Sequence, residues 1–306
     1  MSDLKLFRLD GGQATELIGT SVHLEKSLQT VVEKNMETLF GVRFLASEYS
    51  TGVKHRGRID SLGLDENSSP VIFEYKRAMN ENVINQGLFY LDWLLDHRAE
   101  FQLLVQKKFG PAEAEAIDWR NPRLVCVANG FTRYDEHAVE QINRSIELVR
   151  YRDFGGELLA LELVTSTKVE PSKADDAPTP KVAATSTPSK TVTEFLEQAS
   201  PPLRDLYGEL EAYCEGLGDD ITKKTLKFYF AFRRLKNFAC VEVHPMSQNL
   251  LVYLKVDPDS VDLEDGFSRD VRKIGHFGTG DLELRIANRD QLQKALPLIQ
   301  KSYEAS

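Results

Sequence analysis

The stretch GRIDSLGLDENSSPVIFEYKRAMNENVINQGLFY, residues 57–90, contains two strand patterns followed by a helical one. Side chains alternate between the two faces of a strand, so Glu74 and Lys76 share one face of the second strand. The turn-rich segment 65–70 predicts a hairpin, which brings Asp60 near Glu74. Two carboxylates and one ammonium on one sheet are costly to bury unless something binds them. A divalent metal ion would draw the carboxylates together, and a phosphate would satisfy the lysine.

The order and spacing of these residues resemble a known family. The pattern Asp60…Glu74-x-Lys76 resembles the D…ExK signature of the PD-(D/E)XK nuclease superfamily, and Gln86-x-x-x-Tyr90 resembles the QxxxY motif of its RecB-like branch. The run GRID, followed by a strand and ExK, is similar to the nuclease domain of NucS-type endonucleases. The resemblance covers roughly residues 20–110. An acid-x-lysine pattern alone occurs by chance. The resemblance to the nuclease superfamily is more specific because all the motifs occur in the expected order along the chain.

The resemblance implies a fold and a set of site residues. The fold is α/β, a restriction-endonuclease-like mixed sheet flanked by helices. Metal ligands would be Asp60, Glu74 and the carbonyl of Tyr75, holding Mg²⁺ or Mn²⁺ through oxygen atoms. The catalytic residues implied are Glu25, Asp60, Glu74 and Lys76, and the substrate-binding residues implied are Gln86 and Tyr90. Arg56 and Arg58, in a basic patch beside Asp60, are further predicted substrate-binding residues.

Each of these residues also has a plain structural interpretation. Glu25 lies at the border of an apolar helical stripe, where a glutamate near a helix N-terminus is favourable in any protein. Gln86, Tyr90 and Trp93 lie along one face of a predicted helix, and the aromatic residues there are also typical of a helix that packs on a core. The motif match favours the site for Gln86 and Tyr90, whereas Trp93 is predicted to be a core residue.

Composition limits the class of protein. The chain has 306 residues, 42% of them hydrophobic, and a net charge of −9, so it does not coat nucleic acid through bulk electrostatics. Basic residues beside Asp60 predict local basic patches instead. No apolar run is long enough to cross a membrane, and the first residues lack the layout of a signal peptide. Three cysteines without metal or disulfide spacing fit a cytoplasmic protein.

The chain divides into two predicted domains. Residues 164–190 hold four of the twelve prolines, many Ser, Thr and Ala residues and no aromatic residue, which predicts a flexible linker. The domains on either side are a nuclease-like domain, 1–163, and an α+β accessory domain, 191–306. The latter is similar to an uncharacterised domain family that occurs beside such nuclease domains.

The accessory domain leaves two interpretations open. Basic and aromatic residues interleave over 223–234, which is typical of a surface that stacks bases and holds phosphates, or of a strand with inward aromatics and solvated lysines. The loop GHFGTG, 275–280, is either a phosphate cradle or a plain turn.

In the nuclease-like domain, a helix is expected over about 23–40, and the helical segment 82–109 is either continuous or broken near residues 96–97.

The sequence therefore predicts a metal-dependent endonuclease that hydrolyses phosphodiester bonds, with DNA as the expected partner. The alternative is a catalytically inactive nuclease fold that binds nucleic acid or a partner protein, the latter through 191–306. A homodimer is an open alternative, because related nucleases often cut both strands as dimers. The nuclease domain leads here, whereas in the NucS family it follows a DNA-binding domain, so mismatch specificity is not carried over.

Overall fold

The computed structural model describes residues 4–21, 25–52, 57–76, 83–167 and 190–306. It forms two compact units, Met1–Pro171 and Ser172–Ser306. Arg56, a predicted substrate-binding residue, lies outside the described residues, as does most of the predicted linker. The last strand of the first unit runs through Ser166, so the start of the predicted linker at residue 164 is too early by three residues.

The N-terminal unit is built on a six-stranded mixed sheet of order β3-β4-β5-β6-β7-β8. Strands β3, β4 and β5 are antiparallel, β5, β6 and β7 are parallel, and β8 returns antiparallel to β7. A separate two-stranded hairpin, β1–β2, precedes this sheet. The strands are β1 (Leu6–Asp10), β2 (Gln13–Leu17), β3 (Val42–Ser50), β4 (Arg58–Asp65), β5 (Pro70–Lys76), β6 (Arg123–Ala128), β7 (Ser145–Phe154) and β8 (Leu158–Ser166).

Helices flank this sheet, as the α/β prediction requires. Parallel strands need a long crossover connection, and the helices between β5 and β6 provide it. Their apolar residues, together with those of the central strands, form the main core of the unit. The helices of this unit are α1 (Glu25–Lys34), α2 (Met36–Phe40), α3 (Val83–Asp96), α4 (Arg98–Phe109), α5 (Pro111–Glu115) and α6 (Arg133–Glu140).

The β4–β5 hairpin matches the sequence prediction. Its turn is ordered by Asp65, whose Oδ1 accepts hydrogen bonds from the backbone amides of Asn67 (2.9 Å) and Ser69 (2.8 Å). The last paired residues at the other end of the hairpin are Ser61 and Phe73. Asp60 and Glu74 therefore stand opposite each other one step beyond the regular ladder.

Helix boundaries differ from the sequence prediction in one place and agree in another. The apolar periodicity over 23–40 predicts one helix, but the structure has two, α1 and α2, separated at Asn35. The side chain of Asn35 donates a hydrogen bond to the carbonyl of Val31 (2.8 Å), an interaction by which asparagine competes with regular helix geometry. The second helical segment is broken at His97, within the predicted region.

The C-terminal unit is an antiparallel sheet of order β13-β14-β12-β11-β10-β9 with helices packed on one face. Prolines 201 and 202 begin the second helix of this unit, because proline is favourable in the first turn. The elements are α7 (Val192–Gln198), α8 (Pro201–Glu215), β9 (Thr222–Thr225), β10 (Phe230–Arg233), β11 (Asn237–His244), β12 (Asn249–Leu254), β13 (Ser268–Asp270), β14 (Leu282–Ile286) and α9 (Arg289–Glu304).

The aromatic-rich segment and the glycine loop of this unit both pack on its sheet. Phe230 and Phe232 are buried in the helix-covered core, and the ammonium of Lys223 lies 4.7 Å from the Phe230 ring and pairs with Glu211. The glycine loop packs on the sheet: a Cβ at Gly278 would lie 2.6 Å from that of Cys240. Phe230 and Phe232 therefore point inward and the glycine loop is closely packed, whereas contact of either segment with nucleic acid or phosphate stays a prediction.

No helix among the described residues is long and apolar enough to cross a membrane.

The N-terminal unit depends on one buried ion-pair group. Arg123, at the start of β6, is 1% exposed and donates hydrogen bonds to Glu147 (2.9 and 2.8 Å) and Asp65 (3.0 Å). Burial alone would lower the pKa of Arg123, but the two carboxylates raise it above its ordinary value. Because Asp65 also orders the hairpin turn, this group links β6 and β7 to the hairpin that carries Asp60 and Glu74.

Removal of this guanidinium is expected to unfold the unit at low denaturant. Arg123→Met removes the cation from between two buried carboxylates and should lower the free energy of unfolding by ~3–5 kcal/mol. Tryptophan fluorescence during urea unfolding measures this, since the two tryptophans of the chain, Trp93 and Trp119, lie in this unit. The control is Arg120→Met, which removes a half-exposed arginine paired with Asp118 and should change stability by under about 1 kcal/mol. Equal losses in both variants would contradict the assignment.

Candidate active site at the end of the central hairpin

Two carboxylates replace backbone acceptors where β4 and β5 part. The amide of Tyr75 donates a hydrogen bond to Asp60 Oδ2 (3.0 Å), and the amide of Asp60 donates to Glu74 Oε1 (3.3 Å). A continued ladder would have given both amides to carbonyl groups. Each acid therefore satisfies an amide of the opposite strand, and the hairpin opens at this point.

The main-chain carbonyl of Tyr75 belongs to the same opening. The N–H and C=O groups of one strand residue point to the same side of the strand, and the Tyr75 N–H points to Asp60. Its carbonyl oxygen is thus directed into the gap between β4 and β5. The structure brings together the three predicted metal ligands, Asp60, Glu74 and Tyr75.

The two carboxylates have different electrostatic surroundings. Glu74 is fully buried, and its Oε2 has no hydrogen-bond partner. Burial, and next the neighbouring Asp60, raise the pKa of Glu74 to about 9. Burial also raises the pKa of Asp60, although the Tyr75 amide and Lys76 oppose the shift. An unpartnered buried carboxylate oxygen is destabilising unless it is protonated or a cation is near.

Lys76 and Glu25 complete the predicted acid and lysine set. Lys76 is the last residue of β5 and Glu25 the first of α1, and their side chains form an ion pair of 3.6 Å. The charge of Lys76 lowers the pKa of both Asp60 and Glu74 and so partly opposes the effect of burial. The four predicted catalytic residues therefore lie around one end of the central strands.

The QxxxY pair has a supporting role in the described contacts. Tyr90 is buried, and its hydroxyl accepts hydrogen bonds from the backbone amide of Arg58 (3.1 Å) and from Gln86 Nε2 (3.3 Å). A Cβ at Gly57 would lie 2.5 Å from a Tyr90 ring carbon, so only glycine leaves room for this ring. Tyr90 thus fixes the start of β4, two residues before Asp60. Contact of Gln86 or Tyr90 with substrate stays a prediction.

Gln29 is a site residue that the sequence interpretation missed. It is 3% exposed on α1, and its Nε2 donates to the Asp60 carbonyl (2.8 Å) and to Glu33 (2.9 Å). Glu33 in turn accepts from Ser61, the residue after Asp60 (2.7 Å). The available signal was a polar residue within the apolar stripe of α1. These contacts hold the backbone of β4 in place beneath the site.

The donor set fits a hard divalent cation. Among the described residues, no three His, Cys, Asp or Glu side chains are arranged to hold a metal ion. A cation here would rest on two carboxylates and one carbonyl, with water completing its shell, as is usual for Mg²⁺. The unpartnered Oε2 of Glu74 gives such a cation a carboxylate oxygen that no protein donor occupies.

Comparisons with known proteins bear mainly on the C-terminal unit. Residues 192–306 match the family model of a domain of unknown function, DUF5655. This confirms the expectation of an uncharacterised domain family in that part of the chain. An uncharacterized protein of Haemophilus influenzae is 28% identical over 306 residues, which is 98% of this chain and 100% of that protein.

Solved structures give partial likenesses. A repair endonuclease from Pyrococcus abyssi is 18% identical with a TM-score of 0.29, over 42% of this chain and 48% of that one. A structure of an EndoMS–dsDNA2 complex is 19% identical with a TM-score of 0.25, over 44% and 47%. The chain spans about half the length of the solved structures it matches.

The raised pKa of Glu74 predicts a pH-dependent stability. An unfolded glutamate titrates near 4.5 and folded Glu74 near 9, so the folded state holds the extra proton between these values. Without divalent cations the wild-type protein should therefore lose stability as pH rises through this window. Glu74→Gln mimics the protonated form, whose stability does not depend on this titration. The free energy of unfolding of the variant minus that of wild type should therefore be larger at pH 8 than at pH 5.5, by up to ~3 kcal/mol.

Urea unfolding in EDTA, followed by tryptophan fluorescence, measures this difference at both pH values. Glu115→Gln, at an exposed position on α5, is the matched control and should shift both curves by the same small amount. A Glu74→Gln effect that does not change with pH would show that Glu74 is ionised in the folded protein.

Proposed function

We propose that the N-terminal unit is a metal-dependent nuclease that hydrolyses phosphodiester bonds in DNA. The observation that carries this proposal is the opening between β4 and β5, where the buried carboxylate of Glu74, the half-buried carboxylate of Asp60 and a strand carbonyl converge beside a lysine. Stability does not account for this arrangement. Burial of two acids with raised pKa values disfavours folding at neutral pH, so the arrangement is better explained by a bound charge.

Asp60, Glu74 and the Tyr75 carbonyl would hold Mg²⁺ or Mn²⁺ in this opening. When bound, such a cation lowers the pKa of a coordinated water and offsets the negative charge that develops on the reacting phosphate. The protein's own contribution is placement: the Tyr75 amide fixes the orientation of the Asp60 carboxylate, and the hydrogen bond from Gln29 fixes its backbone.

Lys76 would contact the attacking water or a phosphate oxygen. Its side chain is 17% exposed, and its ammonium lies 3.6 Å from the Glu25 carboxylate. Glu25 pairs with this ammonium and would limit its movement, which keeps the amine directed at the reacting group. Lysine suits this role because its pKa can shift on burial, whereas arginine remains a permanent cation.

Gln86, Tyr90, Arg56 and Arg58 are proposed to act around the reacting bond. Tyr90 would do so indirectly, through the hydrogen bond that fixes the backbone of Arg58. The Arg58 side chain is 68% exposed and is available to a phosphate of the substrate. Together these residues would position the DNA backbone relative to Asp60.

The test is cleavage of labelled supercoiled, linear duplex and single-stranded DNA by the full chain with Mg²⁺ or Mn²⁺. Asp60→Asn and Lys76→Met should each lower the rate by at least about 10³-fold, because the carboxylates and the ammonium act as a unit. Asp96→Asn, an exposed carboxylate on α3, is the control and should retain the wild-type rate. Unchanged urea midpoints would show that both site variants remain folded.

Two results would count against the proposal. Cutting by folded Asp60→Asn protein at the wild-type rate would refute the site assignment. Binding of DNA without cleavage by wild-type protein, at any concentration of either cation, would favour the alternative of an inactive nuclease fold that binds nucleic acid.

A further inference from the structure

A glutamate in β3 has a backbone conformation that is unfavourable for its side chain. Glu48 has φ of 52°, in the left-handed region, where the Cβ crowds the following carbonyl. The other non-glycine residues with positive φ in the described ranges, Ser68 and Gln248, lie in hairpin turns. Glu48 lies inside a strand, and the pairs on either side of it are Ser47–Ser61 and Tyr49–Ile59. It therefore stands opposite Asp60 and interrupts the β3–β4 ladder.

This conformation directs the Glu48 carboxylate to two cations. Oε1 accepts a hydrogen bond from Lys26 Nζ at 2.7 Å, and Oε2 lies 2.5 Å from Arg58 Nε. The hydrogen bond from Lys26 is the main cause that lowers the pKa of Glu48. Lys26 belongs to α1 and Arg58 to β4, so the glutamate joins two elements that both reach the proposed active site.

Stability alone is a poor reason for this strained conformation. The side chains of Lys26 and Arg58 are 58% and 68% exposed, and ion pairs between exposed groups contribute little because water screens them. A left-handed conformation at a non-glycine residue costs at least as much as such pairs return. Backbone strain of this kind is typical of functional sites, where it holds side chains in a required position. The side chains that Glu48 holds are the two cations, Lys26 and Arg58.

Both cations are linked to Asp60, Arg58 along β4 and Lys26 through Gln29. Arg58 precedes Asp60 by two residues in β4. Lys26 Nζ also donates to Gln29 Oε1 (3.1 Å), and Gln29 Nε2 donates to the Asp60 carbonyl (2.8 Å). Any anionic substrate that approaches the carboxylates Asp60 and Glu74 meets unfavourable charge, and these two exposed ammonium and guanidinium groups lie beside that approach.

We propose that Lys26 and Arg58 bind the phosphates of the nucleic-acid backbone next to the scissile bond, and that Glu48 is the positioning residue that sets them. This inference rests on the proposed function and adds to it two residues, Lys26 and Glu48. Lysine and arginine both bind phosphate, the first as a point charge and the second through a planar fork. The Glu48 carboxylate contacts both groups and so sets where each of them lies.

DNA binding in EDTA tests the cations without catalysis. The full chain is titrated against fluorescein-labelled duplex DNA at several NaCl concentrations. Lys26→Met and Arg58→Met should each weaken binding about tenfold at low salt and reduce the slope of log K against log [salt] by about one. Lys34→Met removes an exposed lysine from the last turn of α1 and is the matched control; its slope should equal that of wild type.

Variants of Glu48 distinguish a role in positioning the two cations from a role in stabilising the fold. Glu48→Gln should leave the affinity for DNA equal or higher, because the two cations lose their anionic partner, while kcat falls about 10-fold to 100-fold with KM unchanged. In the double variant Glu48→Gln/Arg58→Met, the fall in kcat should be no greater than in the more affected single variant, since residues that act through each other are not additive.

Glu48→Gly supplies the structural control. Glycine adopts positive φ without strain, so the urea midpoint should equal or exceed that of wild type, yet kcat should fall as in Glu48→Gln.

A fall in kcat only in variants with a lowered urea midpoint would overturn the positioning role. An unchanged salt slope in both Lys26→Met and Arg58→Met would overturn the phosphate contacts. If wild type cleaves DNA while these slopes are unchanged, this inference alone fails; if wild type neither binds nor cleaves DNA, the proposed function fails with it.

Discussion

The N-terminal unit is arranged around the place where β4 and β5 stop exchanging backbone hydrogen bonds. Buried amides need acceptors, and here the acceptors are the side chains of Asp60 and Glu74. The same exchange explains both the shape and the charge of the site. A side-chain acceptor takes more space than a carbonyl, so the strands part, and the parted strands leave two acids next to each other in a poorly solvated position.

Asp60 and Glu74 differ in the hydrogen bonds that they accept and in their exposure to solvent. Asp60 accepts from the Tyr75 amide at 3.0 Å and lies partly in solvent, whereas Glu74 accepts a longer bond of 3.3 Å and is fully buried. Burial therefore outweighs hydrogen bonding for Glu74, whose pKa rises to about 9. Burial raises the pKa of both carboxylates, and two acids in unequal surroundings are the arrangement that acid–base chemistry and cation binding both use.

Local pattern was sufficient to predict the strands, the hairpin and the gathering of Asp60, Glu74 and Lys76, because alternation and turn composition act over a few residues. Contacts between distant segments were not predictable in this way. The hydrogen bond from Gln29 to the Asp60 carbonyl and the left-handed conformation of Glu48 depend on how α1 and β3 pack against β4. The break at Asn35 was missed for another reason: apolar periodicity continues across it, while the side chain competes with the helix locally.

Under the proposed function, the charges at the site would allow an acidic chain of net charge −9 to accept an anionic substrate. Among the described residues, three cations, Lys26, Arg58 and Lys76, lie near the carboxylates of Glu25, Glu33, Glu48, Asp60 and Glu74. The raised pKa of Glu74 favours its protonated form and so lowers the negative charge of the free site. Under the proposed function, a divalent cation would displace that proton, since ligand carboxylates must be ionised. The site would then gain two positive charges and lose one, and this net gain of one positive charge favours a phosphate backbone when the cation is bound.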